Sequence, residues 1–450
     1  MTLMRTLTGP QGSRLAAWLD SERHFHGEYL RPLVAPFTTI VAAVDANDDG
    51  SVTKAGAGLP NGAARPEAVA VRLRRDGVPV RWGEPVALSS ARELEEFCRS
   101  RGRSSVALVR ADPSLLTELQ IGGWFQAASK GRGLRRVLLR TGFLATLLRS
   151  VVRSPAAFRI ASDVAFWSGV RGEATKEEWS RLTRSSYVTF CYHRLAGEMR
   201  RGEEQLDVPP RQFRRQLRAL RLLGYRPLPV EDVIAFHAGE LPTLPRRRYL
   251  LTADDAYVDA ATTLQEVPAA LPILFVSTEL SAGRPARLSE SLPSELPQAP
   301  IADWELLRST ARAGVAIGSH TRTHPSLTKL EPRELEDELA GARTDISREG
   351  VPESPLLAYP YGRHDEGVRQ AAIEAGYALA FTTQVGRNGA GTDRWCLHRV
   401  GIHARDGLSA FLWKTFTGEQ APELWERWQL RRERRRLGRL RRSAAEDATG

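Results

Sequence analysis

An α/β protein with parallel strands is the fold class this sequence predicts, and two observations predict it. From Tyr187 onward, β-branched and aromatic runs alternate with helical stretches, which implies strands joined by crossover helices, as in a doubly wound sheet or a barrel. The 450 residues also exceed what one hydrophobic core usually serves, and the amino-terminal part carries its own, smaller mixed α/β pattern.

In the amino-terminal part, residues 38 to 44 form a β-branched run, and Ala68 to Leu73 and Val78 to Leu88 read as strands around the Asp76-Gly77 turn. Ser90 to Ser100 reads as a helix and Val106 to Val109 as a further strand. Asp112-Pro113 then supplies a helix N-cap with proline at the first helical position. Asp45 to Val52 fits the first eight positions of a calcium loop, but position twelve is Gly56 where a bidentate Glu is needed, so a solvated turn is the reading.

Leu134 to Val152 places Val137, Leu138, Leu144, Leu148 and Val151 at helical spacing with arginines interleaved, a basic amphipathic helix that either packs on a domain or lies on a membrane surface. Strands are then expected at Val188 to Tyr192, Tyr249 to Thr252, Pro272 to Ser277, Val315 to Ile317, Leu356 to Tyr359 and Ala378 to Thr382. The clearest helices are Pro210 to Leu223 and Pro332 to Arg348. Eight arginines between Arg431 and Arg442 form a solvated tail or an extended helix.

The formal charge of +11 favours anionic partners without choosing among them. A nucleic-acid reading would need a recognisable module around Trp425 and Trp428, and neither sits in one. Three cysteines far apart argue against a disulfide framework and a Cys-rich zinc site, and fit a reducing compartment. With Arg5, Arg14 and Asp20 around Gly9-Pro10, no secretory h-region can be drawn, and no apolar run reaches the length of a spanning helix. The expectation is a cytoplasmic protein with a peripheral contact to a membrane.

Chemistry gathers at three strand ends. Leu251-Thr252-Ala253-Asp254-Asp255 is an apolar strand closing on two adjacent carboxylates, which diverge unless the strand turns into a loop; one can bind a metal while its neighbour accepts a proton. An ordinary Asp-Asp turn is the alternative. His320 and His324 follow the next strand end but one, and on a helical turn residues four apart share a face, so both imidazoles can reach one ion. Two imidazoles and one carboxylate leave a coordination position open for water, the mark of catalytic zinc. Tyr359-Pro360-Tyr361-Gly362 ends a third strand in a turn placed to present a backbone N–H to an oxyanion.

These motifs, in this order, resemble the polysaccharide deacetylase family, the NodB-homology domain of carbohydrate esterase family four, over Tyr187 to Ile402. The resemblance implies a distorted (β/α) barrel of that type in the C-terminal half, with the smaller mixed α/β domain before it. The implied organisation is 1–125 for the small domain, 126–184 for a basic helical linker, 185–415 for the deacetylase domain and 416–450 for the Arg-rich tail. The family's Thr-Phe-Asp-Asp appears as Thr252-Ala253-Asp254-Asp255, making Asp254 the general base and Asp255 a metal ligand. His320-Thr321-Arg322-Thr323-His324 matches the family's His-Ser/Thr-x-x-His and supplies the two imidazole ligands of a divalent cation, expected to be Zn2+. The arginine that often precedes Pro-Tyr in the third motif has no counterpart at Leu357-Ala358-Tyr359, while Tyr361 keeps the oxyanion N–H. The late Leu-x-His motif reads Leu397-His398-Arg399, with the histidine one residue early, and His398 is the candidate general acid. His193 in Tyr192-His193-Arg194 reads as structural, or as lining the cleft. The implied reaction removes N-acetyl or O-acetyl groups from a glycan or glycoconjugate. A catalytically weak carbohydrate-binding relic of the same fold and a basic membrane- or nucleic-acid-binding protein are the alternatives. The resemblance implies an acetylated glycan as partner, and the basic charge adds an anionic membrane surface, with nucleic acid not expected.

Overall fold

The computed structural model describes residues 91–125, 155–196, 206–283 and 299–421, with short pieces at 42–44, 58–61, 68–69, 71–72, 80–82 and 139. The calcium-like string at 45–56 lies outside these residues. So are the helix expected at Leu134 to Val152, apart from Leu139, and the Arg431 to Arg442 tail. The chain divides into two compact units, one of 1–185 with 389–392, the other of 186–388 with 393–450.

In the first unit, β1 (Ala42–Val44) pairs antiparallel with β2 (Val80–Trp82), inside the runs expected to be strands. Two other expected strands are corrected. Residues 68–69 and 71–72 are helical, and Val106 to Val109 lies within one helix, α1 (Ala91–Ala111). A four-residue apolar run does not distinguish a strand from a buried helical turn; packing decides, and Val106 and Leu108 are buried in the unit's core. Gly102 permits a close helix crossing. A Cβ there would fall 2.0 Å from the Phe166 carbonyl of α2 (Pro155–Glu173), and one at Gly169 would fall 2.0 Å from the Arg99 carbonyl. Asp112 caps a 3-10 turn at Pro113–Thr117 by accepting the Ser114 N–H. The stretch expected as linker thus supplies α2 and the Thr175-capped α3 (Lys176–Thr183), and Trp167 of α2 meets Trp124 edge-on at 4.6 Å.

The second unit is the expected alternation. In chain order it runs β3 (Ser186–Tyr192), α4 (Pro210–Leu222), β4 (Arg226–Pro227), α5 (Val230–Ala238), β5 (Arg248–Ala253), α6 (Val258–Gln265), β6 (Pro272–Val276) and α7 (Thr278–Ser281). It continues with α8 (Trp304–Arg312), β7 (Ala316–Ser319), α9 (Pro332–Arg348), β8 (Glu353–Ala358), α10 (Glu366–Glu374), β9 (Leu379–Phe381), β10 (Asn388–Gly389), β11 (Val400–Gly401) and α11 (Leu408–Thr417). The sheet order is β10-β3-β5-β6-β7-β8-β9, with β4 on β5 and β11 on β3, and the registers from β3 through β9 are parallel. Leu397 bridges Phe381 of β9, and Val400 and Gly401 pair with Phe190 and Cys191, so residues 397–401 carry the curled sheet from β9 back to β3 as a distorted barrel. Every residue of β3 and β6 is buried, as strands covered on both faces must be. Parallel strands all deliver their C-terminal ends to one end of the barrel, and that is where the chemistry lies.

Candidate active site

β5 ends at Ala253, and the Asp254 N–H still joins the ladder by donating to the Tyr192 carbonyl at 3.0 Å. Asp255 and Ala256 then take left-handed backbone angles, φ 65° and 50°. That turn gives the two adjacent carboxylates different surroundings. Asp254 reaches Arg399 Nη1 through Oδ1 at 2.6 Å and accepts the Cys191 thiol at Oδ2, 3.6 Å away. Burial alone would raise its pKa, but the Arg399 guanidinium holds the carboxyl well below the usual range.

Asp255 turns toward the histidines. Its Oδ1 lies 3.5 Å from His320 Nε2 and 3.4 Å from His324 Nε2, and has no hydrogen-bond partner. Burial raises its pKa, and burial pushes both imidazoles down to about 4, so near neutrality they are uncharged lone-pair donors. His320 Nδ1 sits 2.7 Å from the Ala358 carbonyl, which fixes that nitrogen as the donor and leaves Nε2 to face Asp255. A buried, unpartnered carboxylate oxygen between two neutral imidazoles fits a divalent cation, which supplies the charge the cluster lacks.

The two histidines are not on a helical turn, which corrects the geometric reason for pairing them. Residues 320–324 form a loop in which Thr321 and His324 take φ 71° and 60°. Glu338 of α9 clamps it: Oε2 accepts the N–H of both Arg322 and Thr323 at 2.9 Å, and Oε1 accepts the Thr323 hydroxyl. Arg322, between the histidines, ties the loop to Glu279, Asp337 and Asp345 at 2.7–2.9 Å. Among the described residues seven non-glycine positions have positive φ, and five of them, Asp255, Ala256, Thr321, His324 and Tyr361, are at this site, where surrounding contacts must over-determine them.

Tyr361 has φ 59° in the turn after β8, and its ring meets the His324 ring edge-on at 4.8 Å. Gly362 completes that turn at φ 69°, where a Cβ would strike Thr383 at 2.2 Å, and His364 Nδ1 sits 3.2 Å from the Gly362 carbonyl.

Reading the sequence missed Arg399 and Glu338, and left His193 between a structural and a cleft-lining role. Arg399 takes the place of the arginine absent before Pro360; its signal was a lone cation in an apolar extended stretch, Leu397 to Ile402, spaced to point inward. The same alternation turns His398 the other way. Its imidazole lies against Gly386, where a Cβ would meet Nδ1 at 2.3 Å, and it belongs to neither cluster of metal-type ligands among the described residues. His193 does belong to one, since its ring, Cys191 Sγ and an Asp254 oxygen lie within 4.8 Å of one another at the end of β3. Asp254 in this second group is already paired to Arg399, and burial pushes the Cys191 thiol up so that it keeps its proton. Glu338 left no signal beyond being an acid in a helix.

The polysaccharide deacetylase family model matches residues 243–380, which contain Asp254, Asp255, His320, His324 and Tyr361. The C-terminal region carries a polysaccharide deacetylase domain. Over 227 residues the chain is 26% identical to YxkH of Bacillus subtilis (strain 168), a protein named for the same family, covering 49% of this chain and 73% of YxkH. Among solved structures, the Streptococcus pyogenes deacetylase PplD in complex with acetate is 23% identical, with a TM-score of 0.44, covering 53% of this chain and 100% of PplD. IcaB from Ammonifex degensii is 21% identical, with a TM-score of 0.41, covering 51% of this chain and 97% of IcaB. The deacetylase domain places its candidate metal triad, Asp255, His320 and His324, at the C-terminal strand ends.

Proposed function

We propose that this chain is a metal-dependent hydrolase that removes acetyl groups, N-linked in the first instance, from a glycan or glycoconjugate. The observation that carries the reading is the pair Asp254 and Asp255: one carboxylate held ionised by Arg399, the next left without a cation between two neutral imidazoles. Asp255, His320 and His324 would hold the ion, and a carboxylate with two imidazoles suits zinc. When bound, such an ion polarises the acetyl carbonyl and acidifies water.

Asp254 accepts the proton of the attacking water, and Arg399 keeps it ionised until then. The Tyr361 N–H is the donor assigned to the developing oxyanion. The water oxygen joins the carbonyl carbon, the C–N bond breaks, and the leaving nitrogen takes a proton from His193, whose ring lies within 4.8 Å of an Asp254 oxygen. Acetate and a free amine result.

Acetate release from N- and O-acetylated oligosaccharides, polymers and lipid-linked sugars, before and after chelation and zinc restoration, tests this. Chelator-sensitive release is expected, with His193→Gln reducing turnover far more than His398→Gln. Metal-replete protein that releases no acetate from any of them would leave the binding-only reading.

A further inference from the structure

The strongest surface feature outside the cleft is α4. Its thirteen residues include five arginines and no carboxylate. Phe213 and Leu220 turn into the core, while Arg211, Arg214, Arg215, Arg218 and Arg221 are exposed. Arg211, Arg215, Arg218 and Leu222 recur at helical spacing and form one outward stripe. Arg214 pairs with Glu266 at 3.1 Å, both half in solvent, so that arginine is partly neutralised.

The stripe ends in apolar side chains that the protein does not cover. Leu222 is 79% exposed and Phe416 of α11 is 55% exposed, the two highest values among large hydrophobics in the described residues. The Phe416 ring sits 6.3 Å from that of Tyr225, three residues after Leu222 in the chain, so both lie near the C-terminal end of α4. Arg247 joins them there, donating from Nη1 to the Leu223 carbonyl at 2.7 Å. A solvated basic helix has no use for two exposed apolar anchors at its end. A phospholipid surface takes both, with arginines on phosphates and apolar tips in the acyl boundary.

We propose that the outer face of α4, with Leu222 and Phe416, is a docking surface for an anionic phospholipid bilayer. This does not rest on the reading of the cleft. Helix α4 follows β3 in the chain and packs Phe213 and Leu220 into the core, which leaves its arginine stripe on the outside. No helix among the described residues is long and apolar enough to cross a membrane.

The test uses the full chain, whose Arg-rich tail is common to all variants and therefore cancels. Co-sedimentation with vesicles of phosphatidylcholine alone, and of phosphatidylcholine mixed with phosphatidylglycerol, is compared for wild type, R211Q/R215Q/R218Q/R221Q and L222S/F416S. Each arginine near an anionic surface contributes on the order of fivefold in affinity, so the quadruple variant is expected to lose at least about tenfold even if half its sites are poorly placed. L222S/F416S should weaken vesicle binding while leaving retention on soluble heparin unchanged. If the quadruple variant unfolds, Arg218→Glu alone must show the same direction. Wild-type sedimentation by the arginine variants overturns the proposal. So does vesicle binding indifferent to L222S/F416S, which would make the stripe a general polyanion site.

Discussion

The two walls of the cleft solve opposite problems with similar side chains. On the wall formed by β3 and residues 397–401, Asp254 has a guanidinium at 2.6 Å and a thiol at 3.6 Å, with His193 nearby. On the wall formed by β7 and β8, Asp255 faces the His320 and His324 imidazoles, which burial keeps neutral. The first carboxylate has an arginine as counter-ion; the second faces two imidazoles instead. Two carboxylates that are neighbours in sequence differ in role because the left-handed turn at Asp255 hands each to a different wall.

The sharpest way to break this contrast is to remove the second wall's ligands. A His320→Ala, His324→Ala double variant should lose its bound zinc by elemental analysis and its acetate release with it; full metal occupancy would mean the ion sits elsewhere. Asp254→Asn should keep the ion and lower kcat by roughly two to four orders of magnitude, the usual scale of a general base. Loss of metal in parallel with activity would show the two carboxylates have been exchanged.

Arg399 tests whether Asp254 has its counter-ion without a metal. Removing one member of a buried ion pair costs about 3–5 kcal/mol, so Arg399→Met should lower the melting temperature even in metal-free protein. An unchanged melting temperature would contradict the pairing of Arg399 with Asp254. The smallest effect is expected at Glu338, which touches no ligand ring but holds the loop between them. Glu338→Ala should weaken zinc affinity by about 10–100-fold, in the range of lost outer-sphere support, while Asp254-dependent turnover at saturating zinc changes much less. Equal losses in both would make Glu338 a general structural residue.

The deacetylase domain was more legible than the rest because strand periodicity, helix caps and linear motifs coincide in it. The expected helix from Pro332 to Arg348 has those bounds in the structure, set by proline at the first turn and the Glu331/Glu334 capping box. In the first unit the same kind of reading took Val106 to Val109 for a strand, since a short apolar run has no period of its own and the crossing of α1 with α2 decides its conformation.

The sequence by itself determined the alternating α/β class, the order of the reactive motifs and the identity of Asp254, Asp255, His320, His324 and Tyr361 as one constellation, because each motif is local and sits at a strand end. Only the tertiary structure decided which side chains complete them. Arg399 reaches Asp254 across 145 positions because residues 397–401 return to β3, and His193 joins the same group because β3 and β5 are neighbours in the sheet. Partnerships of that kind are fixed by the closure of the barrel; the spacing along the chain can turn Arg399 inward but does not say which carboxylate it meets.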